Sequence, residues 1–351
     1  MQIYKGFELK ELNTFSIACK ASYYIELESK EDIQKLSQDE YFRTLPMMIK
    51  GGGSNLLFIG DFRGAVLHYS GDKVEVLEED DNSILLRVES GKNWHQLVLE
   101  TTAKGLWGME NLALIPGEVG ASAVQNIGAY GAESSQVIEA VHSINLETGA
   151  ERKWITEECK YGYRYSIFKE KAHQFEVIYA VDYRLSKLPK PDLHYAGLQA
   201  LRELSSITPQ RIVEEVICIR ESKLPDPNEL PNGGSFFMNP IVDKQHFIHL
   251  MLQYPDMPHY ALPEDKFKIP AAWLIEQVGL KGIRDGKVGT YPKQPLVIVN
   301  YDDAYSFEVV NFANRIIEAV REKFDIELHP EVRMVRSGAQ DSIGNIGNIG
   351  K

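Results

Sequence analysis

The chain has 351 residues, 44% hydrophobic and 25% charged, which suits a folded protein with a buried core and room for more than one domain. A formal net charge of −12 argues against non-specific nucleic-acid binding, which needs a basic face, but not against an anionic small molecule held by a few focused cations. The three cysteines are scattered with no C-x-x-C pair, the N-terminus MQIYKGFELKEL has no apolar signal core, and no run is long enough to span a membrane, so no disulfide framework, no metal site and a cytoplasmic location are expected.

LNTF at 12–15 opens the chain, and residues 23–27 predict a strand. Ser29 is the expected N-cap of a short helix reaching residue 36, with Glu31 and Asp32 near its positive end. The apolar run 45–49 predicts a short buried strand, and Lys50 leads from it into GGGSNLLF at 51–58. Gly51, Gly52 and Gly53 reach positive φ at little steric cost and leave no side chain over a ligand. Successive N–H groups in such a loop can converge on an anion, and Ser54 and Asn55 add donors before Leu56. The spacing is neither G-x-x-x-x-G-K-[ST] nor G-x-G-x-x-G opening a helix. It reads as a pyrophosphate cradle or, alternatively, as a glycine turn between strands. The strand-like runs 65–68, 73–77 and 84–88 then predict an antiparallel region.

GKNWH at 91–95 leads into a helix with Trp94, Leu97, Val98 and Thr101 on one face and Gly105 at its end. His95 lacks the partners of a catalyst and reads as a capping or packing residue. The segment 112–131, LALIPGEVGASAVQNIGAYG, has glycines at 117, 120, 128 and 131 with Ala121, Ser122 and Ala123 between them. It lets backbone approach a flat ligand and offers polar edges through Gln125 and Asn126. A tight buried loop packed with small residues is the alternative. ECKYGYRYSIFK at 158–169 is dense in aromatic and cationic residues and by itself reads as an amphipathic surface turn. A strand over 175–185 and a proline-rich bend at 188–191 follow.

Thr208 and Pro209 start a helix as N-cap and first residue, and Ile212, Val213, Val216 and Ile217 form its buried face. Arg220 and Lys223 continue that inward row, where a cation wants an anion, either a carboxylate of the chain or a phosphate. KLPDP at 223–227 reads as a hinge into another domain. In NGGSFFMNP at 232–240, Ser235 lies between two glycines and two phenylalanines, with no histidine at short spacing to make it a nucleophile. A proline-broken loop at 254–268 contains Tyr260, a helix spans 270–278, and a strand spans 296–300. Val309, Phe312, Ala313, Ile316, Ile317, Val320 and Phe324 mark the inner face of a long amphipathic helix. Within IELHPEVR at 326–333, Glu331 taken alone reads as a surface carboxylate paired with Arg333. The tail 337–351 is expected to be disordered.

GGGSNLLF, GKNWHQLV, GMENLALIPGEVGASAVQNIGAYG and CKYGYRYSIFK occur in that order and closely resemble the FAD domain of the UDP-N-acetylenolpyruvoylglucosamine reductase family, the MurB enzymes of bacterial peptidoglycan precursor synthesis. NGGSFFMNP and HPEVR carry the resemblance on, so that it covers residues 12–336. It implies an α+β fold: a vanillyl-alcohol-oxidase/PCMH-type FAD-binding domain of two α+β subdomains (1–64 and 65–224) and a C-terminal α+β substrate domain (225–325). Residues 326–336 would return to the active site.

The resemblance implies FAD held by Gly51, Gly52, Gly53, Ser54, Asn55, Leu56, Ile115, Pro116, Gly117, Ser122, Gln125, Asn126, Gly128, Ala129, Tyr130 and Arg220. Some relatives of the fold attach flavin through a histidine in the glycine loop; Ser54 and Asn55 stand there, so non-covalent FAD is expected. The implied catalytic set is Arg164, Ser235 as proton donor, and Glu331. Tyr163, Tyr195, Lys223, Asn239, Tyr260 and Gln294 are the implied contacts to substrate, although TYPKQP at 290–295 lacks the histidine-rich pattern of some members. The implied reaction reduces UDP-N-acetylglucosamine enolpyruvate with NADPH through FAD, in a monomer that needs neither nucleic acid nor membrane. An oxidase of the same fold and a non-catalytic nucleotide-sugar binder are the competing readings. The missing flavin-linking histidine speaks against the oxidase, and the intact catalytic candidates speak against both.

Overall fold

The computed structural model describes residues 1–204 and 206–336; the tail expected at 337–351 lies outside the described residues. In the first sheet, Lys20–Leu27, Phe62–Tyr69 and Met47–Lys50 run parallel, and Gln2–Glu8 lies antiparallel on the outer edge. The run 65–68 therefore does not open an antiparallel region. Phe62–Tyr69 is buried almost throughout its length, as an interior parallel strand must be, and so shows no apolar–polar alternation to read. A subdomain break at residue 64/65 would cut this strand, so the first sheet extends to Tyr69. Ser29 caps the helix Lys30–Ser37, its hydroxyl accepting from the Asp32 amide at 3.3 Å.

The second sheet is antiparallel, in the order Glu151–Ile155, Ile138–Asn145, Glu176–Ser186, Ser83–Glu89, Val74–Glu79. Helices Trp94–Ala103 and Pro209–Lys223 share its core, where Trp94, Leu97 and Val98 join Ile212, Val213, Val216 and Tyr183. Thr208 caps the second of these helices by accepting from the Arg211 amide. The glycine-rich segment 112–131 is not all loop. It contains the helix Val119–Gln125, ended by Asn126 in the left-handed conformation.

The third sheet runs Asn232–Ser235, Gln294–Asn300, Val288–Tyr291, Arg284–Asp285. Helices Ala271–Gln277 and Ser306–Phe324 pack on it through Leu274, Ile275, Val309, Phe312, Ile316 and Val320. Beside it, Lys244–Gln253 is a helix that the sequence reading missed, and the 254–268 loop folds into a hairpin of Tyr260–Leu262 with Lys266–Lys268. Finally Arg333–Val335 returns to pair in parallel with Leu56–Phe58, immediately after the first glycine loop. That pairing ties the end of the described chain to the first glycine turn, so the two are positioned together. No helix among the described residues is long and apolar enough to cross a membrane.

Candidate active site

The two glycine segments meet in space. A Cβ on Gly52 would lie 3.1 Å from the Gly117 Cα, and one on Gly53, which sits at φ +76°, would lie 2.2 Å from the Leu12 carbonyl oxygen. Gly53 has no room for a side chain, and Gly52 would take one only if the Gly117 backbone gave way. The Ser54 hydroxyl donates to the Pro116 carbonyl at 3.3 Å and ties the loops together. A cleft opens between them, lined by Gly51, Gly52, Gly53, Ser54, Asn55, Leu56, Ile115, Pro116, Ser122, Gln125, Gly128 and Arg220. Glu118 also lines it, its carboxylate turned toward His68 Nε2 at 3.0 Å.

The C-terminal domain closes the other side of the same cleft with Ser235, Glu331 and Arg333. Phe236 and Phe237 are fully buried, and such burial contributes about 2–3 kcal/mol per ring. The backbone is thereby anchored just after Ser235, whose own side chain faces the cleft. The Glu331 amide donates to the Phe236 carbonyl at 2.8 Å, and the Asn55 side-chain amide donates to the Glu331 carbonyl at 3.1 Å. The glycine loop, the serine segment and the acidic segment are thus stitched to one another by hydrogen bonds onto main-chain carbonyls.

Arg164 reaches the cleft from the second subdomain. Its Nε donates to Glu331 Oε1 at 2.8 Å and its Nη2 to the Gly128 carbonyl at 2.7 Å. Glu331 is therefore paired with Arg164 and not with Arg333, the partner that adjacency in sequence suggests. Burial pushes the Glu331 carboxyl above its ordinary value, and Arg164 and Lys169 pull it back only in part. Tyr163 lies beside this pair. Its ring is 5.3 Å from the Arg164 guanidinium carbon and 4.8 Å from Lys268 Nζ, and its hydroxyl accepts a long 3.5 Å bond from Asn239. Burial pushes the Tyr163 hydroxyl up.

Several expected contacts lie elsewhere. Asn126 is fully buried, its amide donating to Glu133 and to the Gly162 carbonyl, so it holds the neighbouring loop and does not face the cleft. Ser122 lines the cleft, but its hydroxyl is already bonded to the Val119 carbonyl and to Tyr183. Gly117 acts through close packing on Gly52. Ala129 and Tyr130 are not among the lining residues; Tyr130 packs edge-on against Tyr195 at 4.8 Å. Lys223 is exposed, because the inward row of its helix runs past the packed core before the helix ends. Tyr260 is exposed on its hairpin, with Lys268 Nζ 5.5 Å from its ring. Gln294 starts a strand off the cleft lining, with a buried and unpartnered Oε1.

Lys268 is the cation that the sequence reading overlooked. It stands between Tyr163 and Tyr260, where burial and then Arg164 push its ammonium down. Its signal was its place at the end of the tyrosine-bearing loop. His95 is a structural pin, its Nδ1 accepting from the Leu114 amide at 2.9 Å.

The cleft also holds polar atoms with no protein partner: Ser90 Oγ, Gln125 Oε1 and Arg220 Nε are buried and unpaired. Such groups are costly unless a ligand satisfies them. Burial pushes the Arg220 guanidinium down, so an anionic or strongly accepting group beside it is favoured. A glycine cradle, a small-residue wall and orphaned donors and acceptors together fit a large flat cofactor with a phosphate-bearing tail.

Fold and cleft therefore define a cofactor-binding protein whose C-terminal domain closes the far side of the cleft. Residues 21–152 match the family model of the FAD binding domain, and residues 226–335 match that of the UDP-N-acetylenolpyruvoylglucosamine reductase C-terminal domain. The chain is 47% identical over 337 residues to UDP-N-acetylenolpyruvoylglucosamine reductase of Porphyromonas gingivalis, covering 95% of this chain and 100% of that protein. It is 42% identical to the enzyme of the same name from Pasteurella multocida, covering 95% and 98%. It shares its fold with the crystal structure of the Thermus caldophilus enzyme, with a TM-score of 0.67 at 22% identity over 95% of this chain and 98% of that one. The chain belongs to the UDP-N-acetylenolpyruvoylglucosamine reductase family, and the expected FAD-binding domain is present.

Gly53→Ala is expected to weaken FAD retention at least tenfold and to lower stability by roughly 2–3 kcal/mol, since it adds left-handed strain to a backbone clash. Flavin content and thermal unfolding check this; unchanged values would remove the loop from the cofactor site.

Proposed function

We propose that this chain reduces UDP-N-acetylglucosamine enolpyruvate to UDP-N-acetylmuramate with NADPH, using non-covalently bound FAD. The observation that carries the reading is the convergence of Arg164, Ser235 and Glu331 on the cleft that the glycine loops line. Bound FAD would supply the redox chemistry, relaying a hydride from NADPH to C3 of the enolpyruvyl group.

An isolated C=C is a poor hydride acceptor, but this one is conjugated to a carboxylate. Addition at C3 moves charge onto that carboxylate, so the protein must stabilise the charge and protonate C2. Arg164 is suited to the first task because its planar, permanently charged fork grips a carboxylate at two points. Glu331 takes the Nε proton and the Gly128 carbonyl one Nη2 proton, which leaves Nη1 and the other Nη2 proton to the substrate. Ser235 delivers the proton to C2; a serine hydroxyl is a weak acid, and only a strongly basic carbanion can take its proton. Arg220, Gln125 and the glycine-loop amides bind FAD.

Tyr163, Tyr195, Lys223, Asn239, Tyr260 and Gln294 contact the UDP-sugar in this reading, with Lys268 added as a cation for its diphosphate. The exposure of Lys223 and Tyr260 is consistent with groups that wait for substrate. The enzyme acts in the cytoplasm as a monomer, without nucleic acid or membrane. The test is anaerobic: bleach the flavin with NADPH, then add UDP-N-acetylglucosamine enolpyruvate. Rapid return of the yellow absorbance is expected. Bleaching without return would discard the substrate, and failure to bind FAD would discard the whole reading.

A further inference from the structure

We propose that Lys169 is a positioning residue for substrate reduction: its ammonium locks the Arg164 main chain in the conformation that aims the guanidinium into the cleft. The inference rests on the reading of Arg164 given above.

Residues 162–165 form a tight turn closed at both ends, Gly162 N to Tyr165 O at 3.1 Å and Tyr165 N to Gly162 O at 3.0 Å. Its third residue takes positive φ, as in a type II turn, where the place ordinarily goes to glycine or asparagine. Here it is Arg164, at φ +55°. Strain of this kind persists only where the surroundings over-determine it, and it gathers at functional sites. Three side chains hold the turn. Asn126 donates to the Gly162 carbonyl at 2.9 Å, and Ser166 Oγ to the Val124 carbonyl at 2.7 Å. Lys169 Nζ donates to the carbonyl of Arg164 itself, at 2.7 Å. Of the three, Lys169 touches the strained residue and is the one that carries charge.

The placement is unusual for a lysine. Its side chain is largely buried, yet its hydrogen bond goes to a main-chain oxygen and not to a carboxylate. The charged groups facing it are Glu331 from the C-terminal segment, Arg164 from the turn and Arg333 from the returning strand. Burial pushes the ammonium down to about 8, against the pull of Glu331. A lysine lowered in this way is charged below that pH and neutral above it. Deprotonation weakens the clamp on the Arg164 carbonyl and removes a positive charge beside Glu331. Substrate reduction in the native enzyme should therefore fall on the alkaline side of about pH 8.

The experiment uses purified holoenzyme and two variants, Lys169→Met and Lys169→Arg. Flavin is reduced anaerobically and mixed with UDP-N-acetylglucosamine enolpyruvate, and the reoxidation rate is followed across pH. The expected result for Lys169→Met is a loss of about 10²-fold in reoxidation, as a small misalignment of a positioned group costs, with flavin content and reduction by NADPH retained. Lys169→Arg stays charged throughout; it should keep most of the rate and lose the alkaline limb. Reoxidation of Lys169→Met at the native rate overturns the inference. If the methionine variant loses its flavin, Lys169→Arg decides: an alkaline limb unchanged from the native enzyme overturns it, and loss of the limb sustains it. Failure of the native enzyme to be reoxidised by this substrate is a different result. It would reject the proposed function and not the geometry of Lys169.

Discussion

Ser235→Ala is expected to leave reduction of the flavin by NADPH within a few-fold of native and to slow reduction of the enolpyruvyl substrate by at least ~10³-fold, toward the upper range for loss of a general acid. The separation follows from where the proton is needed. Reduction of the flavin by NADPH asks for no proton at a substrate carbon. Saturation of the C=C asks for one at C2, and the Ser235 hydroxyl is the reading's source of it. Structure and stability should change little. The side chain faces the cleft, while the segment is held by the buried Phe236 and Phe237 and by the bond from the Glu331 amide to the Phe236 carbonyl. Rapid-mixing measurements of each half-reaction check the result. Equal losses in both would assign Ser235 to binding or to cofactor placement and withdraw its role as donor.

The parts of this fold that follow local rules were legible in the sequence. Ser29 and Thr208 cap their helices, and the apolar stripe from Val309 to Phe324 is the inner face of Ser306–Phe324. Where burial is two-sided, the local rule has nothing to read. Phe62–Tyr69 lacks alternation, and its parallel partners come from elsewhere in the chain. Composition misled at Val119–Gln125, because glycine and alanine between other glycines look like loop even where they make a short helix against the second sheet. Periodicity misled at Lys223, since a helical row keeps its direction after the core it faced has ended.

The site divides in the same way. The cramped glycine loop announced itself at Gly52 and Gly53, since local composition encodes where backbone must come close. The pairing of Arg164 with Glu331 joins residues 167 positions apart and overrides the neighbouring Arg333, so only the family resemblance pointed to it. Lys268 is set between two rings by a hairpin that the prolines of its loop concealed. Asn126 shows the reverse error. A polar residue in a cofactor-like motif is fully spent on holding the protein together.

Arg164→Met should slow substrate reduction by roughly 10²–10³-fold, the range for removing a donor from a developing oxyanion. It should also expose the cost of the charge it leaves behind. Arg164 and Glu331 keep 20% and 17% of their side-chain surface accessible. Breaking the pair should therefore cost about 2 kcal/mol, less than the ~3–5 of a fully buried one. The loss depends on pH, with a sign that follows from the carboxyl. Burial already raises Glu331 above its ordinary value, and removing Arg164 raises it further. A raised carboxyl favours the fold when protonated and loses that advantage as pH climbs from the unfolded value through the folded one. The variant's deficit should thus be smallest below about pH 4.5 and grow toward neutrality. Adding Glu331→Gln to Arg164→Met removes the stranded charge and should recover most of the neutral-pH stability, while substrate reduction stays slow. Thermal unfolding across pH and single-turnover rates on both variants read the two effects separately. If the double variant regained the rate along with the stability, Arg164 would act only by neutralising Glu331, and its proposed grip on the substrate carboxylate would have to be abandoned.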